Sequence, residues 1–282
     1  MREGAIMKRE LEVNYTTPSR ILTATGGFLS GYSHSLNPYT GCSFACSYCY
    51  VRKSPVGLFR RQEWGTWVDI KQSSQEKLKR EIANVKKKGK EVTIFMSSST
   101  DPYQPIDYKE KRTRHILEAL VEAPPDFLFI QTRSSLVTRD IDVITKLGDK
   151  VRVSMTVETD CDSIRKRFSP YAPPIQARLK AIWKLRESNI PVQVAVSPVL
   201  PFTNQFPKML SKLVDRIVID DYFSGDGSHG KRTEKLNIKE LYDEGERKLW
   251  YGKQTHQHAF QLFQDSFNRE QILFSQEGFL PG

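Results

Sequence analysis

The chain has 282 residues, 38% hydrophobic and 27% charged, which excludes a disordered segment and suffices for one α/β barrel or two small domains. Lys and Arg outnumber Asp and Glu by 43 to 33, a net charge of +10 that attracts phosphates and makes nucleic acid a candidate partner. The N-terminus (MREGAIMKRELEVNY) has no apolar signal-like stretch and no run is long enough to cross a membrane, so a monomer in the reducing cytoplasm is expected.

Residues 1–31 read as an irregular N-terminal extension, and TATGGFLSGYSHS leads into a short strand at 33–37. A helix follows over 73–89, with Ser73 and Glu76 at capping-box spacing, an apolar stripe of Leu78, Ile82 and Val85, and Gly89 at its end. Seven of the 14 residues in 77–90 are Lys or Arg, which reads as the solvated face of that helix. Strands are expected at 91–100, 127–135, 151–159, 191–200 and 215–221, and helices at 111–123, 139–148, 174–189 and 206–214. This alternation predicts parallel strands in an α/β fold, a partial six-unit TIM-type barrel over 32–221, with a doubly wound sheet as the alternative. Residues 222–282 break the pattern: FSGDGSHGKR reads as a mobile loop, and 238–270 as one or two helices over the barrel end.

Chemistry in parallel α/β folds gathers at the carboxyl ends of strands. Those ends are polar here: Ser97 to Asp101, Thr132 to Ser134, Thr156 to Glu158, and Ser197-Pro198. Directly after the first strand comes NPYTGCSFACSYCY, with Cys42, Cys46 and Cys49 spaced x3 and x2. Clustered cysteines in a cytosolic chain bind metal or do redox chemistry more often than they form disulfides. A structural zinc site needs four ligands, and only His34 or the distant Cys161 is at hand to complete one. A 4Fe–4S cluster fits better, because three thiolates leave one iron open to a ligand.

The Cys-x3-Cys-x2-Cys spacing with an aromatic before the last cysteine resembles the radical S-adenosylmethionine (SAM) superfamily. The succession NPYTGCSFACSYCYVR, SSSTDPYQPIDYKEKRTRHILEAL, QTRSSLVTRDIDVI, RFSPYAPPIQARLKAI and PVQVAVSPVLP is similar to its spore photoproduct lyase-like branch, over roughly residues 30–221. The resemblance implies a cluster on Cys42, Cys46 and Cys49, SAM on the open iron, and a one-electron donor such as flavodoxin or ferredoxin. The products would be methionine and a 5′-deoxyadenosyl radical that abstracts hydrogen from substrate. By the same resemblance Tyr48 lies near the adenine, Ser98 and Ser99 sit where the methionyl amino group binds, and Arg133 and Ser154 contact the cofactor. Asp101 either holds a ribose hydroxyl or forms the following turn.

One position departs from the lyase pattern. The lyase returns hydrogen to its product from a cysteine near the end of the second strand, assisted by tyrosines at the positions of Tyr48 and Tyr50. Ser98 stands at the cysteine's position, and its O–H bond is far stronger than a thiol S–H bond, so photoproduct repair itself is not expected. Cys161 is the one spare thiol that could serve as a hydrogen donor, or it is an ordinary packed cysteine. The alternative class is a nucleic-acid-binding protein with a structural cluster; a zinc-stabilised interaction module is a third.

Overall fold

The computed structural model describes residues 10–225 and 228–281. Eleven strands are present among them: β1 (Glu12–Thr16), β2 (Thr23–Ala24), β3 (His34–Leu36), β4 (Tyr39–Thr40), β5 (Trp67–Lys71), β6 (Thr93–Met96), β7 (Phe127–Thr132), β8 (Val151–Thr156), β9 (Val192–Val196), β10 (Ile217–Ile219) and β11 (Ile272–Phe274). The main sheet runs in the order β11-β10-β9-β8-β7-β6-β3-β2. Every neighbouring pair in it is parallel except β2 with β3. From β3 onward, strand order follows chain order without a reversal. A doubly wound sheet needs such a reversal, so that alternative is excluded.

The parallel strands are short runs of β-branched and aromatic residues, suited to burial on both faces. Alternate side chains divide between two apolar clusters. Ile94, Met96, Leu128, Ile130, Val153, Met155, Val194, Val196, Ile217 and Ile219 face the helices. Phe95, Phe127, Phe129, Ala195 and Val218 face the other way, against Tyr32 and Phe279. The register places Gln131 beside Ser154, and Ser154 beside Gln193, on this inner face.

The helices over Arg112–Glu122 and Ile175–Glu187 match their expected positions, the second opening after Pro174. The helix expected at 73–89 runs over Gln75–Lys86. Ser74, not Ser73, caps it by accepting from the Lys77 amide; Gly89 follows in the left-handed region at φ 67°. Its basic residues are solvated or paired: Lys79 bridges Glu76 and Glu122. The expected helix at 139–148 is instead a 3-10 turn (Ser135–Asp140), one α turn (Ile141–Ile144) and a second 3-10 turn (Thr145–Lys150). Gly148, at φ 59° and ψ −131°, breaks the helical path, and buried Asp140 is drawn into ion pairs with Arg114 and Arg139.

Both flanks are more regular than expected. In the N-terminal stretch, β1 pairs with β5 in a small sheet of order β1-β5-β4, beside the cysteine loop. In the C-terminal stretch, β11 adds a parallel strand to β10, and Gly278 lies so close to Val218 that a Cβ would meet it at 2.3 Å. Two helices, Glu244–Trp250 and Thr255–Phe263, lie between β10 and β11, and Trp250 and Phe263 pack on Phe202. Part of the expected mobile loop, residues 226–227, lies outside the described residues, as do residues 1–9 and 282.

Candidate active site

The strand ends open into a cavity of about 600 Å³. Cys42, Cys46 and Cys49 line it together with Tyr48, Tyr50, the run Ser97 to Asp101, and Arg133. All four cysteines of the chain are free, and Cys42 and Cys46 are buried.

The cysteine loop is held at three points. Thr100 Oγ1 donates to the Gly41 carbonyl at 2.6 Å. Gln104, fully buried, donates to the same carbonyl from Nε2 at 3.2 Å and accepts from the Ser43 amide at 2.9 Å. At the far side, the Ser47 amide and hydroxyl both donate to the Phe168 carbonyl, at 2.9 and 2.7 Å. Gly41 is at φ 84°, and a Cβ there would meet the Trp67 carbonyl at 2.6 Å, so only glycine fits.

The second strand ends earlier than expected. β6 stops at Met96 and Ser97 turns into the left-handed region at φ 77°, so strand alternation does not govern Ser97 to Thr100. All four residues reach the cavity. Asn37 fixes the turn: its Nδ2 donates to Ser98 Oγ at 3.1 Å, and its Oδ1 accepts from the Ser99 amide at 3.0 Å. Asp101 uses both oxygens on the protein. It accepts from the Tyr103 amide, Thr132 Oγ1 and the Arg133 amide at 2.9, 2.7 and 2.8 Å.

Tyr48 is locked by charge. Its hydroxyl donates to Glu158 and accepts from Arg133, whose guanidinium lies 5.6 Å from the ring centre. Glu158 also pairs with Arg178 at 2.6 Å, and Arg178 is fully buried. Burial alone would push the Glu158 carboxyl up, yet Arg178 and Arg133 hold it down at about 2. Tyr50 donates from its hydroxyl to the Ser98 carbonyl at 3.1 Å.

Ser154 and Cys161 are not brought to this cavity. Ser154 is fully buried, and its hydroxyl accepts from Gln193 Nε2 at 3.3 Å. Cys161 precedes the helix Asp162–Phe168, its thiol 3.5 Å from Asp160 Oδ1; burial and that carboxylate push the thiol up. His34, the alternative zinc ligand, has Nδ1 at 2.8 Å from Ser33 Oγ and does not line the cavity. The inner face supplies two residues that the sequence pattern did not point to, Gln131 and Asp220, beside Ser197 from the expected strand end. Asp220 is buried, with Oδ2 3.3 Å from Ser197 Oγ and Oδ1 unpartnered among the described residues. Burial, with Asp221 adjacent, pushes its carboxyl up to about 8.

The three thiols meet at one side of the cavity. They are near enough for their charges to interact, and burial pushes each up, Cys49 to about 11. Buried thiolates need positive charge beside them, which bound iron supplies.

Comparison with known proteins agrees with this geometry. The Radical SAM superfamily model matches residues 36–213, well over half of the chain, and the chain belongs to that enzyme superfamily. It is 33% identical over 173 residues to an uncharacterised protein of Methanocaldococcus jannaschii, covering 61% of this chain and 62% of that one. It is 24% identical over 160 residues to spore photoproduct lyase of Bacillus subtilis, covering 57% and 44%. A solved structure of a cysteine-to-serine variant of spore photoproduct lyase superposes with a TM-score of 0.67 at 13% identity, over 93% of this chain and 81% of that one, a likeness of fold. The matched stretches thus span less than two thirds of these curated relatives.

Proposed function

We propose that the chain reductively cleaves SAM and uses the resulting radical to abstract a hydrogen atom from a substrate. The observation that carries this reading is the convergence of three free cysteines, the serine turn and Arg133 on one cavity at the carboxyl ends of parallel strands. Cys42, Cys46 and Cys49 would hold a 4Fe–4S cluster. When bound and reduced, it would supply the one electron that cleaves the sulfonium of SAM to methionine and a 5′-deoxyadenosyl radical.

The protein's contribution is placement and shielding. Gln104 and Thr100 fix the start of the cysteine loop, and Phe168 fixes its middle. The Ser98–Ser99 turn, set by Asn37, presents hydroxyls for the amino group of SAM. Arg133 offers a guanidinium for its carboxylate or ribose, and Tyr48 a ring for its adenine. Glu158 and Arg178 keep both side chains from wandering, so little ordering is left to be done on binding. The apolar walls, Phe28, Leu29, Phe95 and Phe279 among them, exclude water from a reactive radical.

Nucleic acid is the substrate class that the net charge and the lyase relatives favour, and a ferredoxin or flavodoxin is the electron donor this chemistry calls for. With Ser98 in place of a thiol, the substrate radical is not quenched by that side chain. The reading is tested by electron paramagnetic resonance of the anaerobically reconstituted, dithionite-reduced protein. Adding SAM is expected to shift the cluster signal, because SAM binds the open iron. An unchanged signal at saturating SAM contradicts the proposal.

A further inference from the structure

The opposite end of the sheet carries a second polar hollow, of about 380 Å³, at the amino ends of β8, β9 and β10. Arg152 at the start of β8, Arg216 just before β10, and Arg186 and Asn189 near the end of the helix Ile175–Glu187 line it. None of these residues takes part in the cluster cavity.

The arginines are poorly compensated. Arg216 Nε donates to Gln193 Oε1 at 2.9 Å, a neutral partner. Arg152 lies over the Phe127 ring at 5.7 Å, and its Nη1 is buried without a hydrogen-bond partner. Above them the buried Tyr32 hydroxyl also lacks a partner. Three acidic groups are involved in this region. Asp215 pairs with Arg186 at 3.3 Å, and exposed Glu277 acts on Arg216 only through space. Asp126, the third, is engaged by Lys86 and the Val92 amide. Arg152 and Arg216 form no ion pair among the described residues. Burial, and for Arg216 the charge of Arg152, pull both below the usual guanidinium range.

Two half-buried guanidiniums side by side, with an orphaned N–H, cost stability unless an anion sits between them. Their fork geometry suits a tetrahedral oxyanion. We propose that Arg152 and Arg216, with Arg186 at the rim, bind the phosphate group of a small phosphorylated molecule at the face opposite the cluster. The hollow exceeds the size of phosphate alone, leaving room for the group that carries it. A polynucleotide backbone is a poorer occupant, because Arg152 and Arg216 are only half-exposed and line a hollow rather than an open surface.

The test compares thermal unfolding of the full chain in inorganic phosphate with that in chloride at equal ionic strength. Phosphate is expected to raise Tm saturably by roughly 2–4 °C. Arg152→Gln and Arg216→Gln are each expected to abolish that rise while leaving Tm in chloride equal or higher, since each removes one of two repelling charges. A structural role would instead lower Tm in chloride, and that result overturns the proposal. So does an equal Tm in the two salts, or a phosphate effect that survives both substitutions. If a single-stranded oligonucleotide shifts Tm through the same arginines while inorganic phosphate does not, the small-molecule ligand is likewise overturned.

Discussion

Gln104 grips the cysteine loop beside Ser43: its carboxamide oxygen accepts the Ser43 amide at 2.9 Å while its nitrogen donates to the Gly41 carbonyl at 3.2 Å. These are the residues on either side of Cys42. A buried side chain from the loop after β6 therefore sets the backbone that presents the first thiol. Gln104→Leu keeps the volume and removes both bonds; the Gly41 carbonyl keeps its bond from Thr100, while the Ser43 amide is left unsatisfied at a cost of about 1–3 kcal/mol. The expected outcome is a folded protein that retains much less iron after anaerobic reconstitution, while Gln104→Glu, which still accepts from Ser43, recovers part of it. Iron and sulfide analysis beside a thermal melt checks this. Full iron loading of the leucine variant contradicts it.

Glu158 is the hub between Tyr48, Arg133 and Arg178. Glu158→Gln leaves fully buried Arg178 without its countercharge and is expected to cost about 3–5 kcal/mol. The wild-type pair also sets a pH dependence. The folded carboxyl sits at about 2, below the ordinary 4.5, so its stabilisation is complete above about 4.5. It is lost as pH falls through about 2. Melts of the metal-free protein should show Glu158→Gln losing its disadvantage as pH drops across that window. A disadvantage of constant size points to packing instead.

Asp220 has the opposite sign. Its folded carboxyl sits at about 8, against the ordinary 3.8, with Asp221 and its partner His256 beside it. Between those values folding must take up a proton, so this group costs stability that grows as pH rises from about 4 to about 8. Asp220→Asn is expected to raise stability at pH 8 by on the order of 2 kcal/mol and to change little near pH 4. Denaturant titrations at the two pH values check the difference. An equal effect at both would contradict it.

Cys161 stands outside the cluster cavity, so Cys161→Ala is expected to leave SAM cleavage within about twofold of the wild type, the normal range for a substitution remote from a site. A loss of more than tenfold would return Cys161 to the catalytic machinery. The measurement is the initial rate of 5′-deoxyadenosine formation at matched iron content.

Much of this arrangement was legible in the sequence because it rests on local patterns. The cysteine spacing, the Pro-opened helix at Ile175–Glu187 and the apolar runs of β6 to β10 are each set by neighbours along the chain. What escaped depends on contacts between distant segments. β11 is three residues long and exists because β10 offers a free edge, and β1 exists because β5 does. Ser154 has the right alternation to face the cofactor, but Gln193 of the next strand claims its hydroxyl. Glu158 and Arg178 are 20 residues apart, and only Glu158 stood out along the chain, as part of a polar strand end. The strand expected over 91–100 stops at Met96 because Ser97 turns into the left-handed region.

The most direct test of the central claim is 5′-deoxyadenosine release. The full chain, reconstituted anaerobically to about four irons, is incubated with SAM and dithionite and the nucleoside is quantified. The account predicts 5′-deoxyadenosine and methionine in equal amounts, dependent on reductant and absent from Cys46→Ala. A cluster-loaded wild type that yields neither above background would contradict it.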